Sequence, residues 1–114
     1  MHPKTPKLLD DVVRSCGYIA DDTTGQSLEM YLRNRRMRQV VERNLEIIGE
    51  ALFRLRKTDP VTAASITDVH QIIGLRNRLA HGYDQEIDDA IVWRAVQESL
   101  PVLRADAEML LPEF

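Results

Sequence analysis

The sequence predicts an all-α protein, an antiparallel four- or five-helix bundle, on three observations. Apolar residues recur at intervals of three and four along most of the chain, no segment alternates with period two, and the connections between periodic segments are short and polar. With 44% hydrophobic and 29% charged residues but only 5 Gly and 5 Pro, the composition is that of a packed helical domain and not of a disordered tail. The 114 residues fit one core, so a single domain over 1–114 is expected.

The first apolar set, Leu8, Leu9, Val12, Val13, Cys16 and Ile19, describes one helix face and predicts a helix over 7–20. Asp21 to Gln26 is polar and contains Gly25, which reads as a loop, and Ser27 is placed to cap the next helix. From Ser27 to Thr58 no Pro intervenes, and Met37, Val41, Leu45, Ile48, Leu52 and Leu55 keep the helical spacing; whether a short leading helix separates from the main one around Asn34 is left open by the sequence. Gly49 costs this helix about 1 kcal/mol relative to Ala, which a close helix–helix approach would explain, the alternative being a surface glycine without a role. Asp59-Pro60 ends it, because a residue before proline is pushed out of the α region. A further helix is expected from about Ser65 to His81, with Gly82 as a left-handed stop. Ile91, Val92, Ala95, Val96, Leu103, Ala107 and Leu110 form the last stripe, in which Pro101 either kinks one helix or opens a second.

No apolar run approaches the roughly 20 residues that span a bilayer, and no apolar stretch follows the basic start as in a secretory signal, so a cytoplasmic location is expected. The single Cys16 excludes an intramolecular disulfide and a multi-cysteine zinc site, and its place on the apolar stripe makes it a core residue. A net charge of −3 argues against a general nucleic-acid binder. Charge placement is more informative. Arg33, Arg35, Arg36, Arg38 and Arg43 fall within eleven positions, either as a solvated helix face or as phosphate contacts. Arg36 and Arg43, with Arg78 further on, are the candidate nucleic-acid-binding cations.

The segment Arg76-Asn77-Arg78-Leu79-Ala80-His81-Gly82-Tyr83 gathers Arg, Asn and His at the end of an otherwise apolar helix. Cleaving RNA without a metal needs a base for the 2′-hydroxyl, an acid for the leaving oxygen and a cation for the extra phosphorane charge. His performs either proton transfer near neutrality, and Arg holds phosphate oxygens bidentately. Asn77 and His81 are four apart and share a face, whereas Arg76 and His81 are five apart, about 140° around the axis. One copy therefore splays its Arg from its His. A second copy facing the first would supply two of each, so a homodimeric site is expected. The bland alternative is that Arg and His here only cap carbonyls and pack. His70 lies eleven residues from His81 without regularly spaced Cys or acidic ligands, so neither a metal site nor a cofactor is expected.

The same string resembles the R-x-x-x-x-H-x-Y signature of HepT-like toxins in the HEPN superfamily. Val41-Glu42-Arg43-Asn44-Leu45-Glu46-Ile47-Ile48-Gly49-Glu50-Ala51 is similar to the family's second block, and Ile91-Val92-Trp93 with Leu100-Pro101 to its C-terminal pattern. Many relatives carry Pro-Trp before the signature helix where this chain has Ile66-Thr67-Asp68-Val69. The resemblance implies a helical homodimer in which Arg76 and His81 of both subunits, with Asn77 orienting them or the substrate, cut RNA and leave a cyclic phosphate. It implies a minimal nucleotidyltransferase antitoxin as partner, and Tyr83 as the position which that partner modifies with AMP. The rival expectation is a noncatalytic helical module that binds a nucleotide or the nucleotidyltransferase, which the acidic net charge suits.

Overall fold

The computed structural model describes residues 2–81 and 88–111, and the side chains of 2–79 and 88–111. Gly82 and Tyr83 lie outside these residues, as does the side chain of His81. Seven α-helices appear among the described residues: α1 (Thr5–Thr23), α2 (Leu28–Arg33), α3 (Arg35–Thr58), α4 (Pro60–Ala64), α5 (Val69–His81), α6 (Asp89–Arg94) and α7 (Leu100–Leu110). Four rods dominate, since α6 and α7 run on through a π-helical turn at Ala95–Ser99, while α2 and α4 are one-turn connectors. There is no strand among the described residues, and the all-α bundle is the fold the periodicity predicts.

Side-chain caps set several boundaries. Ser27 accepts from the Met30 N–H at 3.2 Å and starts α2. Asn34 closes α2 with its backbone and opens α3 with its side chain, accepting from the Met37 N–H at 3.0 Å. This divides the long periodic stretch at Asn34. Two expected boundaries need correction. The first helix is longer than 7–20, because the buried Thr23 hydroxyl donates to the Ile19 carbonyl and Thr5 is held in the core at the other end. The signature helix starts at Val69 instead of Ser65. Asp59 caps a separate short helix from Pro60, and the chain then turns through Asp68 at φ +56°, a left-handed conformation uncommon outside glycine. Ile66 is buried without being helical, so the spacing of Ile66, Val69, Ile72 and Ile73 overstated the helix.

α3 lies at the centre, flanked by α1 on one side and α5 on the other, with α7 against α1. Both flanking pairs are antiparallel. Thr5 at the start of α1 meets Asp59 at the end of α3, and on α5 His70 meets Arg56 while Arg76 meets Gly49. The core is a continuous cluster in which Leu9, Val12, Val41, Ile48, Leu52 and Leu103 are wholly buried. Tyr31 stacks on Trp93, ring centroids 5.2 Å apart, and thereby ties α2 to α6.

The π turn answers the question Pro101 poses. Proline has no N–H for the carbonyl four residues back and its ring clashes there, so a straight, regular α-helix through Pro101 is disfavoured. The widened turn, in which the Leu100 N–H donates to the Ala95 carbonyl, lets the rod continue with Pro101 in the first turn of α7. On this rod Val92, Trp93 and Leu100 are inside, while Ile91, expected inside, is 45% exposed.

Candidate active site

The site begins with a missing side chain. A Cβ at Gly49 would lie 2.0 Å from the Cβ of Arg76 and 2.4 Å from its Cγ, so α5 reaches α3 at this point only because residue 49 is glycine. That close approach is what the glycine in mid-helix foretold. It roots Arg76 against α3 and leaves its side chain 22% exposed.

The neighbouring residue then takes the head group. Arg76 donates from Nη2 to Oε2 of Glu50 at 2.8 Å and from Nη1 to Oδ1 of Asn77 at 2.8 Å. The other oxygen of Glu50 accepts from Nε of Arg54 at 2.9 Å. A chain of polar contacts, Arg54 to Glu50 to Arg76 to Asn77, thus crosses from α3 to α5. The two contacts, one through each terminal nitrogen, restrain the Arg76 guanidinium from two directions.

Arg76 also borders a groove of about 360 Å³ whose other walls include Leu8 and Asp11 of α1 and Arg43, Glu46 and Arg54 of α3. Arg43, paired with Glu46 at 3.5 Å, therefore belongs to the same face as Arg76. The other two candidate RNA-binding cations stand away from Arg76, Arg78 on another groove and Arg36 further along α3. Arg78 lines a separate groove of about 680 Å³ between α5 and the α6–α7 rod, with Gln71, Arg94 and Glu98. Arg36 is exposed in the first turn of α3 beside Arg33 and Arg35. Fourteen residues of α3 separate it from Glu50, roughly 20 Å at the helical rise.

α5 remains α-helical through His81. Its backbone therefore carries position 81 about 140° around the axis from position 76. The splay expected from the spacing is retained by the backbone.

Other candidate groups have ordinary surroundings. His70 is exposed, with Nδ1 2.8 Å from Nη1 of Arg56; because guanidinium is only a donor, that ring nitrogen is the acceptor. Cys16 is 3% exposed, and burial pushes its thiol up to about 12, which keeps it protonated and unreactive as a core residue. Among the described residues, no helix is long and apolar enough to cross a membrane.

Comparison with known proteins decides the family. A family model described as "Ribonuclease HepT-like" matches residues 14–110, which include α3, α5 and the whole Glu50–Arg76 contact. The chain belongs to the HepT-like ribonuclease family. It is 27% identical over 109 residues to the protein named "Putative RNase TTE0752" from Caldanaerobacter subterraneus subsp. tengcongensis, covering 95% of this chain and 96% of that one. It is 30% identical over 102 residues to "Putative RNase MJ1380" from Methanocaldococcus jannaschii, covering 90% and 92%. A second protein of that organism, "Putative RNase MJ1216", is 25% identical over 106 residues. No solved structure matches the chain. In this HepT-like chain, Glu50 stands inside the second block of the sequence with nothing local to mark its role. Its Arg54 partner at i+4 is visible in the sequence, but a contact to Arg76, twenty-six residues away, is not.

Proposed function

We propose that this HepT-like ribonuclease is a metal-independent endoribonuclease and the toxin of a toxin–antitoxin pair. Its site is completed by a second copy of the chain. The observation that carries the reading is the fixed guanidinium of Arg76, held by Glu50 and Asn77 on the helix that ends at His81. The family match supports RNA as the substrate.

In the mechanism, an imidazole takes the proton of a ribose 2′-hydroxyl as its oxygen attacks the adjacent phosphorus. The phosphorane that forms carries extra negative charge on its equatorial oxygens, which Arg76 stabilises. The bond from phosphorus to the 5′-oxygen then breaks, and an imidazolium supplies that oxygen's proton. The products are a 2′,3′-cyclic phosphate and a 5′-hydroxyl. One His81 serves as base and the other as acid, with Asn77 orienting Arg76. Arg43 contributes phosphate contacts beside Arg76, and Arg36 and Arg78 contribute them at a distance. A minimal nucleotidyltransferase is the antitoxin; AMP placed on Tyr83 would repel the RNA backbone by its phosphate charge and obstruct it by its bulk.

The purified protein is expected to cleave total RNA in excess chelator. His81→Ala and Arg76→Ala should each lower the rate by about 10²–10⁴-fold with the helical circular dichroism unchanged, the usual loss when a proton-transfer or charge-stabilising group is removed. Cleavage that needs added metal, or that survives either substitution, refutes the assignment. Expression that leaves growth unaffected in both wild type and His81→Ala would favour the noncatalytic module.

A further inference from the structure

We propose that Glu50 is a positioning residue for the reaction: bridged to Arg54 on its own helix, it sets the guanidinium of Arg76 in place for the scissile phosphate. The inference rests on the function proposed above for its catalytic consequence, and on geometry alone for the contact itself.

Consecutive residues of α3 govern opposite ends of the Arg76 side chain. Gly49 admits its Cβ and Cγ, and Glu50 receives its Nη2. The carboxylate is in turn anchored, because Oε1 is taken by Arg54 while Oε2 is taken by Arg76. A lone carboxylate would neutralise the catalytic cation. Here one negative charge is shared between two positive ones. The groove beside them also carries Arg43, Asp11 and Glu46, so its charges balance, and what Glu50 supplies is the placement of the guanidinium and not a positive field. The guanidinium also keeps donors in hand: it has five N–H groups, of which one goes to Glu50 and one to Asn77. The remainder suffice for a bidentate contact to phosphate oxygens.

Arginine has a long, many-rotamer side chain, and without a grip at its tip it samples positions that do not meet the phosphorane. Misplacement of a reacting group by about 1 Å costs on the order of 10²-fold in rate. RNA affinity is distributed over many phosphate contacts and should barely respond.

The experiment has two independent readouts on the full chain. In steady-state cleavage, Glu50→Ala is expected to lower kcat by about 10–100-fold with KM changed by less than about threefold. Glu50→Gln, which keeps an acceptor oxygen, should recover most of kcat. An unchanged kcat in Glu50→Ala overturns the proposal, and so does a faster one, which would make Glu50 a competitor with RNA for Arg76. Failure of Glu50→Gln to recover any of the loss, or a loss wholly in KM, also counts against it. The second readout is the ¹⁵N NMR signature of the Arg76 guanidinium, assigned with Arg76→Lys. Held by Glu50, its Nη signals should be separate and broadened by slow rotation, and they should coalesce in Glu50→Ala. Coalesced signals in the wild type overturn the contact. If the wild type fails to cleave RNA, the proposed function has failed, and the NMR signature still decides whether Glu50 holds Arg76.

Discussion

Gly49 shows how a residue unfavourable by itself is required by its neighbour. Helix propensity alone makes Gly49→Ala stabilising by about 1 kcal/mol. The added methyl, however, would fall 2.0 Å from the Arg76 Cβ, and both atoms belong to the rigid bases of their side chains. Relief requires α5 to move off α3, so the substitution is expected to destabilise by roughly 1–3 kcal/mol, the usual effect of overpacking. It should also displace Arg76 and reduce cleavage. Thermal unfolding of Gly49→Ala checks this, and a raised melting temperature would contradict the close approach. Cys16 is the opposite case, a residue whose chemistry is suppressed by its place: its thiol, pushed up by burial, contributes packing alone.

Among the elements, the joint between α3 and α4 carries more than a helix break. Asp59 accepts from the Thr62 hydroxyl at 2.7 Å, the Thr5 hydroxyl at 2.8 Å, and the backbone N–H groups of His2 and Thr62 at 3.2 Å each. It therefore caps α4 and latches the start of α1 to the end of α3. The hydrogen bonds, from the Thr62 hydroxyl first and then that of Thr5, outweigh desolvation and hold its carboxyl well below the ordinary value of 3.8. A carboxyl with a lowered native pKa adds stability that is fully present above its unfolded value and is lost as pH falls toward the native one. Asp59→Asn should therefore be less stable than the wild type near neutrality, and the gap should narrow as pH drops below 3.8. Urea midpoints at neutral and acid pH test this; a gap independent of pH would mean that charge at the latch is immaterial. The α6–α7 rod shows a second element-level adjustment, since a π turn allows a proline-containing segment to remain one rod.

At the scale of the whole molecule, the described residues extend 42 × 32 × 19 Å, a slab about two helices thick. α5 packs chiefly on α3, and its other side borders the groove toward the α6–α7 rod. The signature helix is thus an outer element of the slab. Because positions 76 and 81 lie about 140° apart on it, the proposed composite site needs two copies. Sedimentation at micromolar concentration should give twice the chain mass of 13.1 kDa, and a monomer at that concentration would count against the shared site. Mixing wild-type with excess His81→Ala protein is a sharper form of the same test, because a mixed dimer holds one imidazole where the reaction uses two, so activity should fall further than simple dilution.

The sequence by itself determined the helical class, the capping at Ser27, the break at Asp59-Pro60 and the Arg76–His81 string. Each is written in local spacing or in a residue's own backbone preference, and local interactions act within a few positions along the chain. The start of α5 was not legible, because the buried Ile66 keeps helical spacing while standing outside the helix. Nor was the placement of Arg78 on a different groove from Arg43, which depends on how α3 and α5 are turned against their neighbours. Only tertiary structure joined Glu50 to Arg76 and explained Gly49. Those contacts close a twenty-six-residue interval, and they exist because burial of the apolar faces of α3 and α5 fixes the register in which the two helices meet.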